Sequence, residues 1–333
     1  MAERPAAIQL EAMSSSSEPA RLTTLADLFG FEPGSAIGER KIAIDERPVD
    51  DVLAAHIPVV DDAYHFDPEA TLALLAGFEL NRRVMVQGPH GVGKSTHVEQ
   101  VAARLNWPLL RINLDGHLTR ADLVGRDAVV IRDGKQVTEF VDGMMPWAVR
   151  RPVAVLLDEY DAGRPDVMFV IQRLLEREGR FTLLDTNEVI TPHPRFRLFA
   201  ATNTVGLGDL SGLYRGTNVL NQAQIDRWNI VARLDYLEPE VEIAVVLGQA
   251  REFAERSDAG DVVAGMVSVA AMTRTGFAAG DLSTVMSPRT IISWAENLVT
   301  FGDVAVAYRV SFVNKCDEAE APIALEYLQR VFG

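Results

Sequence analysis

The stretch Gly88-Pro89-His90-Gly91-Val92-Gly93-Lys94-Ser95 narrows the possible folds of this chain more than any other feature of it. A loop of this pattern works only between a buried strand and a helix. Its glycines let successive backbone N–H groups turn toward a phosphate, and the helix that follows aims its positive end at the same place. Both neighbours are present. Val84-Met85-Val86 is a short apolar run leading into the loop, and Val98, Val101, Ala102 and Leu105 recur at helical spacing after it. Lys94 can reach the outer phosphates, the Ser95 hydroxyl is a ligand for Mg2+, and Thr96 completes the first turn. Gly88 to Thr96 are therefore assigned to ATP with its Mg2+.

The alternation continues. Asp67-Pro68-Glu69 is a helix start, with Asp as N-cap and Pro at the first helical position, and Leu72-Ala73-Leu74-Leu75 follows. Leu109–Ile112, Val153–Leu157, Leu198–Ala201 and Ile230–Leu234 read as further apolar strands. With Val84–Val86 they predict an α/β fold around a parallel five-stranded sheet, covered on both faces. Two stretches break the rhythm. Ala128–Ile131 and Val137–Phe140, joined through Asp133-Gly134, have the composition of a β-hairpin, and so do Phe181–Leu184 and Val189–Thr191. After Leu237 the pattern turns helical: Val241–Phe253, Val262–Thr275, Pro288–Phe301 and Ala321–Phe332. The expected division is a flexible tail at 1–20, a small appendage at 21–61, a nucleotide-binding domain at 62–236 and a helical lid domain at 237–333.

Three strand ends carry polar residues that suit phosphate chemistry. Val153–Leu157 runs into Asp158-Glu159, where Asp158 can hold Mg2+ and Glu159 can polarise an attacking water. Leu198–Ala201 runs into Thr202-Asn203, and Asn203 can orient the same water. A strand-end acid or amide is, by itself, more often a solvated turn former. The loop upstream is what lifts these above that reading, since open parallel sheets place ligands at the carboxyl ends of their strands. Arg227 precedes the last strand, and Arg289 stands in the first turn of a lid helix. The helix dipole disfavours a cation there, so Arg289 is expected to face an anion. Both arginines are assigned to the transferring phosphates.

Composition removes several alternatives. A net charge of −15 argues against nucleic acid as the main partner, because phosphate backbones need clustered Lys and Arg. Cys316 is the single cysteine, so no internal disulfide forms. His56, His65, His90, His97, His117 and His193 show no metal-ligand spacing. Met1-Ala2-Glu3-Arg4 lacks a signal-peptide pattern, and no apolar run is expected to reach the length that spans a bilayer. The cytoplasm is the expected location.

From about Asp67 to Phe332 the chain resembles the AAA+ ATPases, with the Walker A and B, sensor 1, arginine-finger and sensor 2 positions in order. The two hairpins resemble insertions of the clade of MoxR-type chaperones and magnesium chelatase motors. Longer stretches, such as His97–Pro108, Asp158–Arg173 and Asp281–Thr290, resemble the small motor subunit of the aerobic cobaltochelatase. That resemblance implies a ring motor, of six subunits, that drives Co2+ insertion into hydrogenobyrinic acid a,c-diamide. Its partners would be a von Willebrand A domain subunit and a large subunit that holds the corrin and cobalt. The alternative is a MoxR-like chaperone that remodels a von Willebrand A partner without any chelatase.

Overall fold

The computed structural model describes residues 20–45, 50–115, 117–176, 179–204 and 222–333. The expected tail, up to residue 19, lies outside them. At the start, β1 (Ala20–Thr24) and β2 (Lys41–Asp45) pair antiparallel around α1 (Leu25–Phe29), and α2 (Asp51–Ala54) follows. Leu25, Phe29, Phe31 and Ile42 bury their side chains in the same cluster as Phe66, Leu74 and Val98, so this segment is part of the wall of the α/β core.

The core runs α3 (Pro68–Leu80), β3 (Val84–Gln87), α4 (Lys94–Arg104) and β4 (Leu109–Asn113). After α5 (Arg120–Val124) comes a long hairpin, β5 (Gly125–Arg132) and β6 (Lys135–Asp142), then α6 (Met144–Val149), β7 (Ala154–Asp158) and α7 (Pro165–Gln172). A short hairpin, β8 (Phe181–Leu183) with β9 (Glu188–Ile190), precedes β10 (Arg197–Thr202), α8 (Gln222–Ile225) and β11 (Ile230–Arg233). Asp67 caps α3 by accepting from Ala70 N at 2.7 Å, as its sequence context predicts.

The sheet is five-stranded in the order β11-β3-β10-β7-β4, and every neighbouring pair is parallel. Alternation within its strands explains why both faces are dry. Ala154 and Leu156 of β7, with Phe199 and Ala201 of β10, pack against α3 and α4. Val155, Leu157, Leu198 and Ala200 pack on the other side with residues of α5, α6 and α7. A central strand apolar on both faces can only sit between two helical layers.

Beyond Tyr236 come α9 (Pro239–Gln249), α10 (Arg251–Ala254), α11 (Ala259–Ala279), α12 (Pro288–Phe301), α13 (Val304–Ser311) and α14 (Ala321–Phe332) around a core of their own, with Trp294 and Tyr308 fully buried in it. Two expectations change here. The helix expected over Val241–Phe253 breaks at Ala250, whose ψ of 62° leaves the helical region. An eight-residue helix, α13, adds to the expected four: Gly302 closes α12 in the left-handed region, and Asp303 caps the next helix by accepting from Val306 N at 2.8 Å. A third expectation is corrected. With a mean hydropathy of 1.4 over its best window, α11 is long and apolar enough to cross a membrane. Val263, Met266, Val269 and Ala270 of that helix are instead fully buried in the lid core.

Candidate nucleotide site

The pocket forms where β3, β7 and β10 end. Its lining includes His90, Gly91, Gly93, Lys94, Ser95 and Thr96 of the loop, with Asp158, Glu159, Asn203, Arg111 and Arg289. Backbone crowding explains two of the glycines. A Cβ on Gly88 would lie 1.9 Å from the Leu234 carbonyl oxygen. Gly91 takes a φ of +79°, and a Cβ there would meet the Ser287 Cβ at 2.3 Å. The loop is thus pressed between the end of β11 and the start of α12. Tyr236 adds a direct tie, its hydroxyl donating to the His90 carbonyl at 3.1 Å.

Lys94 is 8% exposed, and its ammonium donates to the Gly88 carbonyl at 3.0 Å, the Pro89 carbonyl at 2.8 Å and Asn203 Oδ1 at 2.8 Å. All three acceptors are uncharged. Burial pushes this ammonium down to about 8, against the pull of Asp158, Asp161 and Glu159. Ser95 Oγ donates to Asp158 Oδ1 at 2.7 Å. A buried cation resting on neutral oxygens, beside a hydroxyl already aligned with a carboxylate, is a donor set that fits a nucleoside triphosphate and a hard divalent cation.

Glu159 follows Asp158 with a φ of 53°, in the left-handed region that a residue with a Cβ avoids. Its own N–H donates to Asp158 Oδ1 at 3.0 Å. That turn ends β7 abruptly and leaves Glu159 in the pocket lining. Arg289, second residue of α12, is brought to the same pocket by the lid. Arg227 is not. Its Nη1 donates to the Ala223 carbonyl, and Nη2 lies 4.0 Å from Glu176 Oε1. With its amide oxygen turned toward Arg227, Gln172 accepts from Nη1 at 3.0 Å and from Nη2 at 3.2 Å.

Residues 83–227 match the AAA domain (dynein-related subfamily). The aerobic cobaltochelatase subunit CobS of Sinorhizobium sp is 61% identical over 280 residues, which is 84% of this chain and 84% of that protein. The chain belongs to the CobS family. Midasin of Dictyostelium discoideum is 31% identical over 189 residues, 56% of this chain and 3% of midasin. Among solved structures, a RuvB mutant of Thermotoga maritima covers 78% of this chain and 67% of its own at a TM-score of 0.46 and 15% identity. The AAA+ fold and the cobaltochelatase-motor family expected from the motifs are both met.

Two residues of this CobS-family site escaped the sequence reading. Asp161 is fully buried, and its Oδ2 accepts from Asn203 N at 3.2 Å, Thr204 N at 2.9 Å and Thr204 Oγ1 at 2.9 Å. It fixes the turn that carries Asn203. Arg111 of β4 donates from Nε to Asp158 Oδ2 at 2.8 Å and from Nη1 to Glu99 Oε1 at 3.1 Å. A signal existed for Arg111, since it is a charged residue inside the apolar strand Leu109–Ile112. His97, passed over as a metal ligand, is a packing residue. It sits between Thr71 Oγ1 at 3.0 Å and the Tyr64 hydroxyl at 3.1 Å, and burial holds its imidazole down to about 4.

Proposed function

We propose that this chain is the ATP-hydrolysing ring motor of a cytoplasmic cobaltochelatase, driving Co2+ insertion into hydrogenobyrinic acid a,c-diamide. The observation that carries the reading is the convergence of Lys94, Ser95, Asp158, Glu159 and Asn203 on one pocket, in a chain of the CobS family. Lys94 takes the charge of the outer phosphates, exchanging its neutral acceptors for anionic ones. Ser95 and Asp158 hold the Mg2+, which when bound neutralises charge on the phosphates. Glu159 polarises the attacking water, and Asn203 orients it. Arg289 reports on the nucleotide from the lid. In this reading residues 62–236 and 237–333 act as two bodies that move about Tyr236.

Arg227 acts on the nucleotide of the neighbouring subunit in a homo-oligomeric ring, which we take to be a hexamer. Its place outside its own pocket lining supports that assignment. The motor's partners are a von Willebrand A domain subunit and the large subunit that holds corrin and cobalt. The long hairpin is the surface offered to them, since Val129 and Ile131 on it are 66% and 76% exposed. The experiment is cobalt insertion assayed with both partners, with and without this chain, and with a Glu159→Gln variant. Insertion should need the wild-type chain. Repeated turnover at the wild-type rate with Glu159→Gln would overturn the reading.

A further inference from the structure

Arg111 has no part in the roles assigned above, yet it touches the carboxylate on which they depend. Its strand places it there. Arg111 pairs in register with Leu156, two residues before Asp158, so its side chain runs along the same face of the sheet toward the acid. Both Nε, at 2.8 Å, and Nη2 reach Asp158 Oδ2. The other oxygen, Oδ1, accepts from Ser95 Oγ at 2.7 Å and from Glu159 N at 3.0 Å. Both oxygens of Asp158 are thus engaged by donors of this chain. The Asp158 side chain is 9% exposed while that of Arg111 is 48% exposed. The guanidinium therefore covers the acid from the solvent side. A second acid waits beside it, with Glu99 of α4 accepting from Nη1 at 3.1 Å.

We propose that Arg111 is an ionic latch on Asp158, which withholds the acid from free divalent metal and yields it when metal arrives with nucleotide. This rests on the reading of Asp158 as the metal-side carboxylate. In the nucleotide-free chain a hydrated cation approaching Asp158 meets a guanidinium already there, and two positive charges a few ångströms apart repel. A triphosphate changes the sign of the pocket. Its negative charge draws the metal in, and Arg111 retires onto Glu99 without losing an anionic partner. The arginine is a positioning residue, acting through Asp158. The consequence is an ordered entry in which metal and nucleotide come together and metal alone does not.

The test is binding of Mn2+ alone to the nucleotide-free full chain, followed by electron paramagnetic resonance. Removing a unit charge a few ångströms from a divalent ion is worth on the order of tenfold in affinity even at a dielectric near that of water, the screening that suits a half-exposed guanidinium. Arg111→Gln should therefore bind Mn2+ about tenfold or more tightly than wild type. Arg111→Lys should stay near wild type, and the gain should vanish in the Arg111→Gln, Asp158→Asn double variant. An Arg111→Gln chain with wild-type Mn2+ affinity overturns the latch, and so does a gain that survives in the double variant. Binding of ATP with Mn2+ to Asp158→Asn separates the two levels. If that variant binds as wild type does, the metal role of Asp158 falls and the latch falls with it. If it binds weakly while Arg111→Gln shows no gain, the latch alone is wrong.

Discussion

The nucleotide pocket buries its cation, Lys94, whereas the corner of the same α/β core that holds Arg227 leaves its cation partly exposed. In the pocket Lys94 and Asp158 are held at short range by groups of their own chain. Lys94 rests on three oxygens, and Asp158 is held by Ser95 and Arg111. Arg227 keeps a side chain 28% exposed and meets its acid, Glu176, only at 4.0 Å. A site that binds gains from donors fixed in advance, because ordering them later costs entropy. A group that acts across a contact must keep its charge unneutralised until the partner surface arrives. On the proposed function, the two regions are the two halves of a composite site, one for holding and one for triggering.

The largest expected effect tests that split directly. Arg227→Ala should lower ATP turnover by about 10³-fold, the worth of an arginine finger, with ATP binding unchanged. Phosphate release and equilibrium nucleotide binding measure the two quantities. Mixing this variant with Lys94→Ala, which loses ATP binding, should restore part of the activity. Some interfaces in mixed rings join an intact loop to an intact arginine. No recovery in rings shown to be mixed would place Arg227 in its own chain's chemistry and erase the contrast.

Glu159→Gln comes next. An amide cannot take up charge as a carboxylate does, so turnover should fall by roughly 10²-fold while ATP affinity stays at the wild-type value. This variant sharpens the comparison from the pocket side, because it separates holding from hydrolysing within the pocket itself. Near-normal hydrolysis would move the role to another acid, with Asp158 first in line.

How much of this was legible beforehand follows from the range of the interactions involved. The loop and the strands leading to Asp158 and Asn203 were readable because each is a local pattern: an apolar run, a turn and a helix start. Arg289 was readable for the same reason, as a cation placed against a helix dipole. Arg111 and Asp161 were not, although both touch residues that were named. Their roles depend on register between strands and on the close approach of two turns, distances that no spacing along the chain encodes. The lid shows the converse. Arg274 pairs with Glu242, which is 1% exposed, through bonds of 2.8 and 2.6 Å, and its guanidinium lies 4.0 Å from the Tyr236 ring centroid. Helical periodicity foretold the helices that carry the pair and nothing of the pair.

A smaller effect concerns pH and the packing of α4, the helix that follows the loop. His97 is buried and held down to about 4, against about 6.5 in an unfolded chain. Between those values the unfolded chain binds a proton that the folded chain refuses. Stability should therefore be full above pH 6.5 and decline as pH falls toward 4, by about 1.4 kcal/mol per unit from this group. Urea unfolding from pH 8 to 4.5 measures it, and His97→Gln should flatten the slope between 6.5 and 5. Arg227→Ala should leave the slope as it is. If both variants keep the wild-type slope, His97 is not the group that titrates.

The smallest effect is at the tie between loop and lid. Tyr236→Phe removes one hydroxyl, the donor to the His90 carbonyl at 3.1 Å, and leaves the ring that Arg274 covers. A net hydrogen bond of this kind is worth about 0.5–1.5 kcal/mol, so the loss should be roughly two- to tenfold. The question is where the loss appears. The hydroxyl holds the phosphate-binding loop against the segment entering the lid, through the backbone of His90. A loop less firmly held binds ATP more weakly, yet once the nucleotide is seated Glu159 and Asn203 are as well placed as before. KM should therefore rise while kcat stays constant, the opposite of what Arg227→Ala is expected to show. Steady-state kinetics on the two variants side by side put holding and triggering on separate axes. A fall in kcat with unchanged KM in Tyr236→Phe would mean that the tie transmits the trigger, and the two regions would then have to be treated as one device.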